Sequence, residues 1–321
     1  MSRSGRAIVL ALVSALFFTM TYVLNRASVG NGGAWQWTVI LRYVFTLPFL
    51  GLALPFAGGL GGLPSELRQH PRAWLMWSTV GFVLFGMPLT WAASSGPSWL
   101  IAGSFGATVL AGPLLAPFIY HDERRRVAWH ALAVGVVILA GILALQWGHA
   151  GGHLDARAWW AVAAVVFSAF AYPLGNRMVL LHLERTGTSM GALQRAFGMT
   201  LSSWPAWLVV TVVTWWTIGP PTLRVALLAA GVALSSGVVA TALFFKATHM
   251  VGRRPVALAA VEAMQAAELL FATVLGVCFL GESFPHGIAA WGAVAIVLGI
   301  AAFSWITARE EVPLVEGDRG A

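Results

Sequence analysis

Three residues in this chain have the types and spacing to do chemistry in an otherwise inert setting: Glu262, Gln265 and Glu268. They lie in the run PVALAAVEAMQAAELLFATVLGVCFLGE (Pro255–Glu282), which is otherwise dominated by Ala, Leu and Val. At about 1.5 Å per residue, roughly 20 helical residues cross the apolar core of a bilayer, so the run is long enough to span it. An acid at that depth costs about 2.5–3.5 kcal/mol on insertion scales. A helix carrying two must therefore turn them toward a protein interior or a wet cavity. At about 100° per residue, the three polar positions cover about 120° of one side of the helix. A carboxylate held there can take up and release a proton or bind a cation. Hydrogen-bonded to a Ser or Thr, it is equally well a structural acid, and for Glu268 both readings stand open.

The other candidate site residues are cations and aromatics placed deep in apolar runs. Arg42 and Arg195 lie five or six residues inside opposite membrane faces. Either the guanidinium snorkels to the interface, which is the simpler expectation, or it faces the interior and pairs with an acid or an anionic ligand. Glu262 and Arg195 fall at similar depth and are placed to pair. Trp204, bracketing Pro205 with Trp207, and Phe17, beside Phe18, fall mid-span, where an aromatic wall can hold a lipophilic cation by cation–π contact. Packing explains the same aromatics. Asn25-Arg26 and Asn176-Arg177 close their segments, where a cation complements the helix C-terminus, and a structural role is expected.

What houses these residues follows from composition. Hydrophobic residues are 59% of the chain and charged residues 10%, against about 25% charged in a soluble domain. The chain reads as a polytopic membrane protein. Its net charge of +7 comes from arginines scattered between apolar runs, a pattern that fits positive-inside loops and argues against a nucleic-acid surface. Cys278 is the single cysteine, so there is no disulfide framework and no Cys-based metal site. The eight histidines show no metal-binding spacing, and no cofactor is expected.

Ten apolar segments are predicted: Gly5–Arg26, Trp35–Phe56, Ala73–Ala93, Pro97–Tyr120, Val127–Trp147, Ala158–Leu181, Met190–Ile218, Leu223–Lys246, Pro255–Leu280 and Gly287–Thr307. They lack the alternation of a barrel, so an all-α protein is expected. The arginine distribution places both termini on the cytoplasmic side of an inner (plasma) membrane. Most of the 16 tryptophans fall near segment ends, as in an interfacial belt. The charged tail, residues 308–321, is expected to be disordered.

The two halves echo each other in order. Asn25-Arg26 matches Asn176-Arg177, Arg42 matches Arg195, Pro97 matches Pro255, Glu123 matches Glu282, and GILALQW (Gly141–Trp147) matches GIAAFSW (Gly299–Trp305). The offsets run from 151 to 159 residues. Two repeats, residues 1–150 and 151–307, are predicted, and an odd number of spans in each makes the second inverted in the membrane. Gly135, Gly141, Gly292 and Gly299 on the closing helices permit close packing, either within the fold or in a homodimer.

The stretch FFTMTYVLNRASVGNGGAWQWTVILRYVFTLPFL (Phe17–Leu50) and the two half-repeat endings, Pro97–Glu123 and Pro255–Glu282, resemble the multidrug-resistance efflux transporter branch of the drug/metabolite transporter superfamily. The likeness extends over about residues 5–307. It implies ten transmembrane helices in two inverted five-helix repeats around a central cavity, working by alternating access. The related small multidrug resistance proteins carry their coupling glutamate in the first helix. Here neither Gly5–Arg26 nor its echo Ala158–Leu181 holds a carboxylate, so proton coupling would fall to Glu262 or Glu268.

The expected function is that of a secondary transporter exporting small drug-like or metabolite molecules, coupled to protons. An uncoupled permease or exchanger for an anionic metabolite, using Arg42 and Arg195, is the alternative. An intramembrane enzyme is remote: Gly103-Ser104-Phe105-Gly106 misses the Gly-x-Ser-Gly turn of an intramembrane serine protease, and no deep histidine accompanies it.

Overall fold

Inside a bilayer every backbone N–H and C=O must be satisfied within the protein, and the chain answers with helices throughout. The computed structural model describes residues 3–29, 34–95, 98–125, 129–150, 156–252, 254–280 and 286–310. Expectations attached to Pro97, Arg126, Arg253, Glu282 and most of the tail lie outside these residues. The helices are α1 (Arg3–Val29), α2 (Trp35–Ala53), α3 (Leu63–Gln69), α4 (Pro71–Ser78), α5 (Phe85–Ser95), α6 (Ser98–Phe105) and α7 (Thr108–Ile119). They continue with α8 (Trp129–Ala150), α9 (Ala156–Thr186), α10 (Ala192–Ile218), α11 (Leu223–Val232), α12 (Thr241–Val251), α13 (Pro255–Ala263), α14 (Ala267–Leu280) and α15 (Ile288–Glu310). Among the described residues no strand occurs.

Seven helical stretches are long and apolar enough to cross a membrane, and three shorter apolar helices, Gly103–Ile119, Leu132–Ala144 and Ile288–Ala302, fall within the remaining predicted segments. The protein is all-helical and multi-pass. Its outer surface is apolar: Phe118, Trp129, Trp216, Leu223 and Trp291 are largely exposed, as side chains facing lipid are. Trp37 and Trp74 leave the expected belt. Both are buried, and the Trp37 indole donates to the Gly219 carbonyl at 2.8 Å.

Among the described residues, five of the predicted segments are not single α-helices, the second because it ends in a 3-10 turn, Leu54–Ala57. The third and eighth each contain a π-helical stretch, Thr79–Leu84 between α4 and α5 and Ala233–Ala240 between α11 and α12. The fourth turns at Gly106-Ala107 between α6 and α7, and the ninth passes through a 3-10 turn, Met264–Ala266, between α13 and α14. A short helix that the apolar pattern does not announce, α3, follows the second segment. The last helix runs to Glu310, three residues into the tail predicted to be disordered.

Packing is dense along a few pairs: α8 with α15, α5 with α9, α2 with α10 and α11, α1 with α12, and α7 with α9 and α13. The glycines expected at the closing helices are used inside the chain. A Cβ on Gly141 would meet the Gly292 carbonyl and Ala295, and one on Gly299 would meet Ile138. Gly135 lies against Val109 and Leu110. Gly141 and Gly299 are thus used between α8 and α15, and Gly135 between α8 and α7. A closer approach joins α9 to the π stretch, where Gly175 faces the backbone of Gly81 and the carbonyl of Trp77.

In the loop after α7, His121, Asp122 and Arg125 are exposed while Arg124 is tied down. Arg124 donates to Asp122 at 2.7–3.1 Å and to Glu184 at the end of α9 at 3.1 Å, and its guanidinium lies 4.4 Å from the Tyr120 ring. The hydrogen bonds from Arg124 hold the Asp122 carboxyl below the usual carboxylate range.

Overpacking typically costs about 1–3 kcal/mol, and backbone cannot yield as a side chain can. Gly175→Ala is therefore expected to lower the thermal midpoint of the purified protein by several degrees. Gly51→Ala, whose methyl would meet only the Phe197 ring at an ordinary 3.6 Å, is expected to leave the midpoint unchanged.

Candidate functional site

The helix that carries the acids is broken between them, and the break decides what each acid does. In the chain order α13, 3-10 turn, α14, Glu262 is the penultimate residue of α13, Gln265 sits in the turn, and Glu268 is in the first turn of α14. All three are buried. They do not share one polar face, contrary to the uninterrupted helical rotation expected from sequence.

Glu262 is fully paired, and its partner is not Arg195. Arg177 on α9 donates through Nε to Oε1 at 2.8 Å and through the terminal nitrogen to Oε2 at 2.6 Å. The fork is bidentate and buried on both sides. Gly112 on α7 makes room for it, since a Cβ there would overlap Glu262 Oε2 and touch the Arg177 guanidinium. Arg177 is thus a buried ion-pair partner rather than a cation capping its helix.

Arg195 on α10 is only partly satisfied, with Nε and one terminal nitrogen unpartnered. It is fully buried, donates to the Phe245 carbonyl at 2.8 Å and to the Thr248 hydroxyl at 3.3 Å, and stacks 4.5 Å from the Phe245 ring. Those contacts lock α10 to α12 and leave Arg195 outside the central cavity.

Glu268 is the acid that faces open space. It lines a small cavity of about 20 Å³, room for about one water, with Gln265, Arg42, Tyr22, Thr21, Phe18, Phe85, Leu89, Phe105 and Tyr172. The lining comes from both halves of the chain. Tyr22 on α1 donates its hydroxyl to Glu268 Oε2 at 2.9 Å. Arg42, on α2, does not snorkel: it is buried and donates to the Ser236 hydroxyl at 2.6 Å. The aromatic wall is mutually packed, with Tyr172 lying 4.9 Å from Phe85, 5.6 Å from Phe244 and 6.3 Å from Phe18 between ring centroids.

Five lining residues bring buried polar atoms without a protein partner: Glu268 Oε1, Gln265 Nε2, Arg42 Nε, Tyr172 Oη and Thr21 Oγ1. A buried polar group left unsatisfied costs about 1–3 kcal/mol. Five on the lining of one cavity make it a polar receptacle within an aromatic frame.

Two expected wall residues are not part of it. Phe17 packs half-buried against the core while its neighbour Phe18 lines the cavity, and Trp204 lies half-buried on α10, away from the lining. Trp207 instead stacks on Tyr43 at 4.6 Å. Tyr22, Thr21 and Tyr172 are lining residues the sequence reading did not single out. Residues four apart share a helix face, so Phe18 and Tyr22 were the detectable signal. A separate open depression of about 540 Å³ lies at the ends of α9 and α12, beside Arg3, Glu184, Thr188 and His249. It shares no lining residue with the central cavity.

With this geometry in view, the comparisons with known proteins are informative. The family model described as "EmrE: Putative multidrug resistance efflux transporter" matches residues 5–309. The chain belongs to that family. Membership of the EmrE family implies small-molecule transport rather than enzymatic turnover. An uncharacterized protein of Bacillus subtilis (strain 168), YjlA, is 41% identical over 304 residues, covering 92% of this chain and 93% of the relative. An uncharacterized 42.1 kDa protein of Shouchella clausii is 37% identical over 256 residues, covering 78% of this chain and 66% of its own. A crystal structure titled only as that of a protein superposes with a TM-score of 0.68 at 18% identity, covering 95% of this chain and 98% of its own. That likeness concerns the fold alone.

Removing one partner of a buried ion pair typically costs about 3–5 kcal/mol, whereas replacing both by apolar groups can be neutral. Arg177→Met and Glu262→Met are each expected to lower the thermal midpoint sharply, and the double variant to recover most of the loss. Equal, additive losses would show that the pair is not a unit.

Proposed function

We propose that this chain exports small organic molecules by alternating access, in exchange for protons. Glu268 is the group that proton and substrate satisfy in turn. The observation that carries this reading is the convergence of unpartnered polar atoms on one aromatic-framed cavity, with Glu268 Oε1 among them. A buried carboxylate with one oxygen held by Tyr22 and the other free is poorly stabilised as a bare anion in a low-dielectric site. A proton relieves it, and so does a cationic substrate flanked by the rings of Phe18, Phe85 and Tyr172. Exchange of the two is the coupling step. Glu262, closed off by Arg177, is a structural acid.

The architecture we infer is ten spans in two inverted five-helix repeats, residues 1–150 and 151–307, around that cavity. The pairing of helices supports it. Exchanging the halves turns the α1–α12 contact into the α9–α5 contact and the α7–α13 contact into the α14–α6 contact, and leaves the α2–α10 and α8–α15 contacts in place. The π stretches and the mid-span turns also recur at matching places. The arginine distribution supports an inner-membrane location with both termini cytoplasmic.

Arg42 favours a second reading. Its unpartnered Nε reaches the same cavity, and a permease for an anionic metabolite would use it as the binding cation. Arg195, the other half of that idea, is taken up by α12 and plays no part.

In everted vesicles, Glu268→Gln is expected to reduce transport driven by a pH gradient to background while the purified variant keeps its thermal midpoint within a few degrees. Gradient-driven transport at the wild-type rate would remove Glu268 from the coupling step. On the leading reading, lipophilic cations raise the midpoint of the wild type and not of Glu268→Gln. On the second, organic anions raise it, and Arg42→Gln abolishes that shift.

A further inference from the structure

At one end of the bundle, away from the central cavity, the fold assembles a group of side chains that no motif in the sequence announces. Glu66 and His70 occupy positions i and i+4, on one side of the short helix α3 and the residue that follows it. His182, near the end of α9, meets them from the other half of the chain. The potential ligand atoms of the three all lie within 4.8 Å of one another. His182 Nε2 is 2.8 Å from Glu66 Oε1, and the His70 ring packs edge-on to the His182 ring at 4.8 Å between centroids.

We propose that Glu66, His70 and His182 form a site for a divalent transition-metal ion of the zinc type. Two imidazoles and one carboxylate are a donor set suited to borderline ions such as zinc, cobalt and nickel rather than magnesium or calcium. Three protein ligands leave a further position for water. The carboxylate is already oriented. Glu66 is buried, and the Thr188 hydroxyl donates to its Oε2 at 2.9 Å, leaving Oε1 turned toward His182. Outer hydrogen bonds of this kind are what hold metal-ligating carboxylates in place. Ligand atoms on a tetrahedral zinc, each about 2.0–2.1 Å from the ion, stand about 3.3 Å apart. The half-buried His70 ring reaches that spacing by a small rotation.

A hydrogen bond between Glu66 and His182 accounts for two of the three groups without any metal. It does not require His70 at their side. The nearby cations Arg68, Arg72 and Arg185 are exposed, where solvent screens their repulsion for a bound ion. The ion joins α3, in the first half of the chain, to α9, in the second. It therefore clamps the two halves together at the arginine-rich end, a contact that alternating access would have to release.

The test uses the full chain, purified in detergent without a histidine tag and stripped with chelator, and cobalt(II) as the probe. One equivalent of cobalt is expected to bind per chain with the visible absorption bands of a low-coordinate site, to be displaced by zinc, and to raise the thermal midpoint. His70→Ala, which leaves the Glu66–His182 hydrogen bond intact, is expected to keep the metal-free midpoint and to weaken cobalt binding at least about tenfold. His182→Ala is expected to abolish the absorption bands. No cobalt bands in the wild type, or bands of unchanged affinity in His70→Ala, would overturn the site.

Discussion

A charge taken into a low-dielectric interior must find a partner or give the charge up, and this constraint sorts the ionisable groups of the bundle. The penalty for leaving water is several kcal/mol per ion even after relaxation. Glu262 and Arg177 meet it with a bidentate fork between α13 and α9. Arg195 meets it through one terminal nitrogen, with a carbonyl and a hydroxyl, and an aromatic face, and leaves Nε and the other terminal nitrogen unpartnered. Glu268 and Arg42 meet it only in part, each with one protein hydrogen bond and one polar atom left over. Glu262 is closed off by its partner, whereas Glu268 and Arg42, each with an atom left over, line one cavity together.

The break in the ninth segment is what allows two acids six residues apart to have different fates. The 3-10 turn at Met264–Ala266 re-aims the chain, so that α13 presents Glu262 to α9 while α14 presents Glu268 to α1. Tyr22 and Thr19 both approach Glu268, the first at its carboxylate and the second at its backbone carbonyl at 3.4 Å. The first span of one half thereby holds the broken span of the other. The turn at Gly106-Ala107 occupies the corresponding place and sets Phe105 in the cavity wall.

Much of this was legible in the sequence because the governing energies are large. Apolar runs interrupted by arginines specify helices and their order, and acids at mid-span cannot be innocent. Glu268, Gln265 and Arg42 therefore stand out in the sequence, and all three line the central cavity. The partner of Glu262 was not. Arg177 and Arg195 lie in adjacent spans, and which one meets Glu262 depends on how each helix is rotated, which no local signal records. Trp204 and Phe17 failed for the same reason: depth was readable, facing was not. The turn at Met264–Ala266 contains neither Gly nor Pro, so the apolar run reads as continuous. His70 and His182 are brought together only by the tertiary fold, although Glu66 and His70 already stood one helical turn apart.

The π stretch Thr79–Leu84 also sets an angular register. A π turn holds an extra residue relative to the α-helix, and each residue of an α-helix advances the side chains by about 100°. Phe85 and Leu89, which follow immediately, owe their inward facing to that surplus residue. Removing one residue from the stretch would let the helix regularise and swing the aromatic flank toward lipid with almost no change in composition. For this segment the spacing of residues, rather than their identity, shapes the cavity, and a shortened variant would look harmless in sequence while losing its binding wall.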